Sequence, residues 1–126
     1  MAQSYDPNNV FARILRGEIP NDTVLETPHT LVFRDITPKA PVHLLAIPKG
    51  AYMTVDEFYA RASDAEILDF IRAVARVCEM TGLSASVGGN GFRAISNAGA
   101  DGMQEVPHFH LHILGGRPMG ALVETA

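Results

Sequence analysis

Residues 107–114 read Pro-His-Phe-His-Leu-His-Ile-Leu, a strict alternation of imidazole and apolar side chains. In an extended chain successive side chains point to opposite faces. His108, His110 and His112 therefore share one face, and Phe109, Leu111 and Ile113 share the other. A strand of this kind has a core behind it and, in front, three rings that are costly to bury unless each finds a partner. Same-face neighbours stand roughly 7 Å apart along a strand, too far for direct pairing but close enough to surround one small anionic group.

Three readings of the cluster compete. Plain surface histidines explain isolated examples, but three on one strand face have little reason to occur together. Zinc takes imidazole readily, yet ligands two apart on a strand seldom close a tetrahedron without help from elsewhere. A phosphate suits the spacing better. With an ordinary pKa of about 6.5, roughly a quarter of imidazole is cationic at pH 7, so one cluster can supply both a neutral nucleophile and a charged stabiliser. A neutral ring attacks phosphorus through one nitrogen only if its other N–H is held, normally by a backbone carbonyl, while its neighbours neutralise the phosphoryl oxygens. His110, flanked on both sides, is best placed to attack.

The rest of the chain supplies the sheet and its cover. Asn9 is placed to cap a short helix carrying Phe11, Ile14 and Leu15, with Gly17 and Pro20 as stop signals. Thr23–Glu26, Thr30–Arg34 and Val42–Ile47 have strand chemistry, and their short connections imply antiparallel pairing. Between the last two, Pro38 and Pro41 force a surface loop, because neither can donate to a ladder. Thr54-Val-Asp-Glu57 and Ser63-Asp-Ala-Glu66 both match the capping-box pattern, so two helices begin there. The second carries Ile67, Phe70, Ile71, Val74, Val77 and Cys78 as one apolar stripe ending before Gly82. A fourth strand, Phe92–Ser96, and a fifth, Val106–Leu114, complete an α+β domain of five antiparallel strands, one long helix and one or two short ones.

Composition limits what such a domain binds. The 126 residues suffice for one domain over residues 9–126, after eight residues polar enough to fray. Lys and Arg total 10 against 14 Asp and Glu, a formal charge of −4. With no basic cluster there is no footprint for a phosphate backbone, so a nucleic acid is not an expected partner, nor is an anionic membrane surface. No run approaches the roughly 18 apolar residues that span a bilayer, and the first residues do not read as a secretion signal. The expected location is cytoplasmic. The single cysteine, Cys78, has no partner for an intramolecular disulfide and is expected as a buried free thiol.

His108-Phe109-His110-Leu111-His112-Ile113-Leu114 resembles the signature of the histidine triad nucleotide-binding family, in which three histidines alternate with apolar residues. The similarity extends through Phe11 and Ile14, Gly17-Glu-Ile-Pro20, Phe33-Arg-Asp-Ile36, Pro41-Val-His43, Ile47-Pro-Lys49, Asn97, Gly102 with Gln104, and Gly115-Gly-Arg-Pro118. It points to the branch of small nucleoside phosphoramidases.

The resemblance implies a histidine triad-like fold and a homodimer with one continuous sheet, its interface supplied by helix 63–81 and strand 92–96. It implies hydrolysis of a purine nucleoside phosphoramidate, or of an adenylate-like mixed anhydride, through a nucleotidyl-histidine on His110. His43, His108 and His112 match the supporting histidines. Asp35 matches the carboxylate that receives ribose hydroxyls, and Phe11, Ile14, Phe33 and Ile36 match the walls of the base pocket. Asn97 matches an amide at the phosphate or leaving group. Gln104, Glu105 and Val106 fall in the contact loop before the triad. Glu105 stands where many relatives carry Ser, and Met103 where Gly is frequent, which leaves the leaving group open. No cofactor is implied and no metal ligand is assigned, since the family's zinc-binding Cys pair would fall at Asn9 and Ala12. Arg117 either approaches a phosphate or closes the sheet end, and His29 reads as a solvated loop residue. Two rival activities remain: hydrolysis of dinucleoside polyphosphates, and nucleotide-dependent partner binding with little catalysis.

Overall fold

The computed structural model describes residues 4–124. Its first helix, α1 (Val10–Leu15), starts where the Asn9 side chain accepts from the amide of Ala12, and it is followed by Gly17 at φ 78°. Strands β1 (Thr23–Glu26), β2 (Thr30–Arg34) and β3 (Val42–Pro48) come next. They precede two helices, α2 (Val55–Arg61) and α3 (Asp64–Met80). The Ser63 box that opens α3 is complete, with Ser63 accepting from the Glu66 amide and Glu66 accepting from the Ser63 amide. At α2 the box is half formed: Thr54 accepts from the Glu57 amide, but the Glu57 carboxylate turns to the amide of Met53 at 3.0 Å. A short 3₁₀ turn, Ala85–Val87, leads to β4 (Phe92–Ile95), and β5 (Leu111–Gly115) is last.

The five strands form one antiparallel sheet in the order β1-β2-β3-β5-β4. The expected architecture of five strands, one long helix and two short ones is present. α3 crosses β1, β2 and β3 on one face of the sheet. The core there joins Val32, Leu44, Ala46 and Ile113 to Phe58, Phe70, Val77 and the buried free thiol of Cys78. Asp69 on α3 pins the helix to the β1–β2 turn, its carboxylate accepting from the Thr30 hydroxyl at 2.7 Å and from the Thr27 hydroxyl. The other face is covered only in part. There α1 lays Phe11 and Ile14 on Leu31, Phe33, Leu45 and Ile47, leaving the β5 end of that face open.

The fifth strand differs from expectation. It begins at Leu111, so His108 and His110 precede the ladder instead of lying within a strand running from Val106 to Leu114. The register explains this. Extending Ala46↔Leu111 would set Phe109 against Pro48, which has no N–H to give. The Phe109 amide instead donates to the Tyr52 carbonyl at 2.7 Å, and the Pro48 carbonyl is taken by the His108 ring. The alternation survives the loss of ladder bonds. Phe109 and Ile113 lie in the core beneath α3, while His110 and His112 look to the opposite side.

Of the eight N-terminal residues read as a fraying segment, 1–3 lie outside the described residues, whereas Tyr5 rests against His108. No helix among the described residues is long and apolar enough to cross a membrane.

Candidate active site

The uncovered part of the sheet forms the floor of a cavity of about 820 Å³. Alternation along two neighbouring strands builds that floor. His43 and Leu45 of β3 and His112 and Leu114 of β5 lie on one face, with His43 opposite Leu114 and Leu45 opposite His112. Phe11, Ile14 and Phe33 make an apolar wall, the Phe11 and Phe33 rings meeting edge to face at 5.8 Å. Asp35, Asn97, Glu105 and three imidazoles make the other end. An apolar slot closed by a few convergent polar groups is the usual form of a small-molecule site.

Fixed main-chain groups decide which ring nitrogen carries each proton. Nδ1 of His110 lies 2.8 Å from the carbonyl oxygen of His108. A carbonyl only accepts, so Nδ1 holds the hydrogen and Nε2 keeps its lone pair. At His43 the direction is reversed: the Lys39 amide donates to Nδ1 at 3.0 Å, so the hydrogen is on Nε2. That hydrogen is directed at Nδ1 of His112, 3.0 Å away, with Asp35 Oδ2 at 3.4 Å. His112 consequently carries its own hydrogen on Nε2 and presents a donor. His108 donates from Nε2 to the Pro48 carbonyl at 2.8 Å and accepts at Nδ1 from the Tyr5 hydroxyl at 2.6 Å.

Burial sets the charge. Desolvation pushes His108 and His112 each down to about 4 and moves His43 and His110 below the ordinary imidazole value. For His110 the bond to the His108 carbonyl and the charges of Asp35 and Glu105 oppose the shift without reversing it. This corrects the expectation of a cationic ring in the cluster. The site offers one free lone pair and neutral N–H donors, because a charged imidazole would lose too much hydration there. The rings also come closer than strand spacing alone implies: His110 and His112 stand 5.1 Å apart, and direct pairing arises across the strands, between His43 and His112.

The other expected residues divide. Asp35, Asn97, Glu105 and Val106 line the cavity with Phe11, Ile14 and Phe33. Asp35 also closes its own turn, Oδ1 accepting from the Thr37 amide at 2.8 Å. Ile36 is at the cavity rim and 93% exposed, so it is a lip instead of a wall. Gln104 points away from the cavity. Its amide donates to the carbonyls of Met53 and Val106 and its oxygen accepts from the Gly99 amide, bracing the loop that carries Asn97 and Glu105. Within that loop Met103 adopts φ 60°, a conformation that glycine takes without strain. His108 is fully buried behind the cavity. Arg117 donates to the Lys39 carbonyl and ties the sheet end to the β2–β3 loop, and His29 is exposed. Leu45, Leu114 and Ile95 also line the cavity. They were legible in principle, since each sits two residues from, or directly across from, a site histidine.

Asp35, His43 and His112 are the one group among the described residues with ligand atoms close enough to hold a metal ion, all within 4.8 Å. In the arrangement present, His43 Nε2 and His112 Nδ1 are joined to each other by a hydrogen bond of 3.0 Å.

Residues 16–119 match the model of the HIT domain family. The chain belongs to this family. It is 54% identical to an uncharacterized 13.2 kDa HIT-like protein of Azospirillum brasilense over 123 residues, 98% of each chain. It is 39% identical to the purine nucleoside phosphoramidase of Escherichia coli K12, covering 90% of this chain and 92% of that one. Among solved structures, a HIT family hydrolase from Legionella pneumophila superposes with a TM-score of 0.77 at 40% identity, over 90% of this chain and 96% of the other. One from Clostridium thermocellum superposes with a TM-score of 0.79 at 37% identity, over 93% and 97%.

Proposed function

We propose that this HIT protein hydrolyses purine nucleoside phosphoramidates, or adenylate-like mixed anhydrides, at the α-phosphate through a nucleotidyl-histidine. The observation that carries the reading is the state of His110: Nδ1–H is held by a main-chain carbonyl, and Nε2 makes no hydrogen bond among the described residues at the edge of a nucleotide-sized cavity. The 39% identity to a purine nucleoside phosphoramidase supports the substrate class.

In the first step the His110 Nε2 lone pair forms a bond to phosphorus as the phosphorus–nitrogen bond to the leaving amine breaks, the amine departing with a proton from solvent. The ring becomes cationic, and its Nδ1–H bond to the His108 carbonyl strengthens as it does so. His112 donates from Nε2 to a phosphoryl oxygen, and the His43 bond keeps it in that tautomer. Water then attacks phosphorus, His110 leaves, and the nucleoside monophosphate is released. The apolar wall of Phe11, Ile14 and Phe33 takes the base, and Asp35 accepts from the ribose hydroxyls.

Two copies pair through β4, a sheet edge, and the outer face of α3, where Phe92, Leu68 and Ile71 are exposed. Sedimentation of the wild type as a dimer, and of Phe92→Asp as a monomer, is the expected behaviour. The cytoplasm is the proposed location.

The mechanism is tested by mixing the protein with a fluorogenic adenosine phosphoramidate, quenching within milliseconds and weighing the intact chain. A nucleotide adduct on His110 that forms in a burst, together with loss of turnover by a factor of about a thousand or more in His110→Ala, is expected. A loss of less than about tenfold with nucleotide binding intact would instead make this a binding protein.

A further inference from the structure

The Tyr5 hydroxyl lies 2.6 Å from Nδ1 of His108, across 103 positions of sequence, and the two rings meet edge to face at 5.7 Å. We infer that Tyr5 is a positioning residue for the nucleophile: its hydroxyl fixes the ring of the residue whose main-chain carbonyl holds His110. The inference rests on the reading of His110 as nucleophile.

His108 is fully buried and does not line the cavity, so it does not reach a substrate there. Its contribution is the carbonyl oxygen that accepts from His110 Nδ1 at 2.8 Å. That carbonyl precedes the ladder of β5, so regular strand bonds do not fix it. The ring of the same residue fixes it instead, anchored at both nitrogens. Nε2–H donates to the Pro48 carbonyl at the end of β3, and Nδ1 accepts from Tyr5. Because the Pro48 carbonyl demands a hydrogen on Nε2, Nδ1 can only accept, and Tyr5 is its sole donor among the described residues. Without that hydroxyl, a buried lone pair is orphaned and the ring has reason to rotate.

Tyr5 is itself held in place. Asp6 offers its carbonyl to the Asn9 side chain at 2.7 Å and to the Asn9 amide at 3.2 Å, and the Pro7 carbonyl accepts from Arg16 at 2.6 Å. The segment ahead of α1 is thus a strap fastened to the helix that also carries Phe11. Phe11 in turn stands edge-on to His110, ring centres 4.9 Å apart. The helix meets the His110 ring directly through Phe11, while the strap and the β3 end hold the His108 ring at Nδ1 and Nε2.

The test compares the full chain with Tyr5→Phe, which keeps the ring and removes only the oxygen, and with Tyr5→Ala. Ring nitrogens of ¹⁵N-histidine-labelled protein are read by long-range proton–nitrogen correlation at pH 7.5, and turnover of an adenosine phosphoramidate is measured alongside. In Tyr5→Phe the His108 Nδ1 and His110 Nδ1 signals are expected to move, with kcat falling about five- to tenfold and KM staying within about twofold. Tyr5→Ala is expected to show at least the same loss of kcat. Unmoved His110 signals in Tyr5→Phe, or a kcat within twofold of wild type, overturn the inference. A purely structural role would lower melting temperature in both variants and leave kcat per folded molecule intact, which also overturns it. If the wild type turns over no phosphoramidate, the proposed activity fails while the nitrogen signals still decide whether Tyr5 sets the rings.

Discussion

Lowering the pH from 7.5 to 5.5 should weaken the fold through His108. This ring is completely buried, and desolvation holds its pKa at about 4, against 6.5 when exposed. A histidine with a folded-state pKa below its unfolded value binds its proton first in the unfolded chain, so stability is full above pH 6.5 and drains away as pH falls toward 4. The whole difference of about 2.5 units is worth roughly 3 kcal/mol at about 1.4 kcal/mol per unit. At pH 5.5 only the first unit has been spent, which is about 1.4 kcal/mol. This window lies above the range in which carboxylates titrate, which separates the histidine contribution from acid unfolding at large. Urea unfolding of the wild type and of His108→Gln at the two pH values gives the assay. The wild type should lose about 1.4 kcal/mol more than the variant over this interval. A direct nuclear magnetic resonance titration covers the case of a variant too unstable to compare. Titration of the His108 ring near pH 6.5 in the folded protein would refute the reasoning, since a ring with no exposed surface, lodged between Tyr5 and the Pro48 carbonyl, becomes charged only at a cost in lost hydration.

Activity should follow the same physics at His110. Its burial-lowered pKa predicts that the acid limb of kcat/KM, where Nε2 takes up a proton, is centred below the ordinary imidazole value; an acid limb centred above 6.5 would contradict it. Phe109→Ala should cost about 3–5 kcal/mol, measurable by urea unfolding, because its ring fills the space between Phe58 and Phe70 at 5.3 and 5.1 Å; a loss below 1 kcal/mol would mean the core collapses around the gap. Ser63→Ala removes one arm of the α3 capping box and should lower stability by about 1 kcal/mol with kcat unchanged, and an unchanged unfolding midpoint would count against the box.

Features set by local chemistry were readable from the chain. Asn9, Thr54 and Ser63 announce helix starts because a side-chain oxygen at those positions answers an otherwise free amide, and period-two alternation assigns His110 and His112 to one face without knowledge of their neighbours. What depended on distant partners was not readable. The end of β3 at Pro48 shortened β5, although the two segments are about sixty residues apart in the chain. Gln104 carries the same amide whether it meets a substrate or braces its own loop, and only the position of Met53 decides. The downward shift of the four site histidines follows from how deeply the fold buries them, which no spacing reveals. Tyr5 gave no signal at all, being a single aromatic residue in a polar stretch.

The last strand and the two residues leading into it, Phe109 to Ile113, hand their odd and even positions to two different trades, apolar filling beneath α3 and imidazole rings above. Shifting the pairing by a single residue would exchange them, driving imidazoles into the oily interior and, with the lead-in segment following the strand, phenylalanine into the hollow. A slipped sheet would be unstable and inert at once. Correct registration is therefore enforced by the hydrophobic interior on behalf of the site, and a molecule that has folded has, by the same act, aimed the ring nitrogen proposed as its nucleophile.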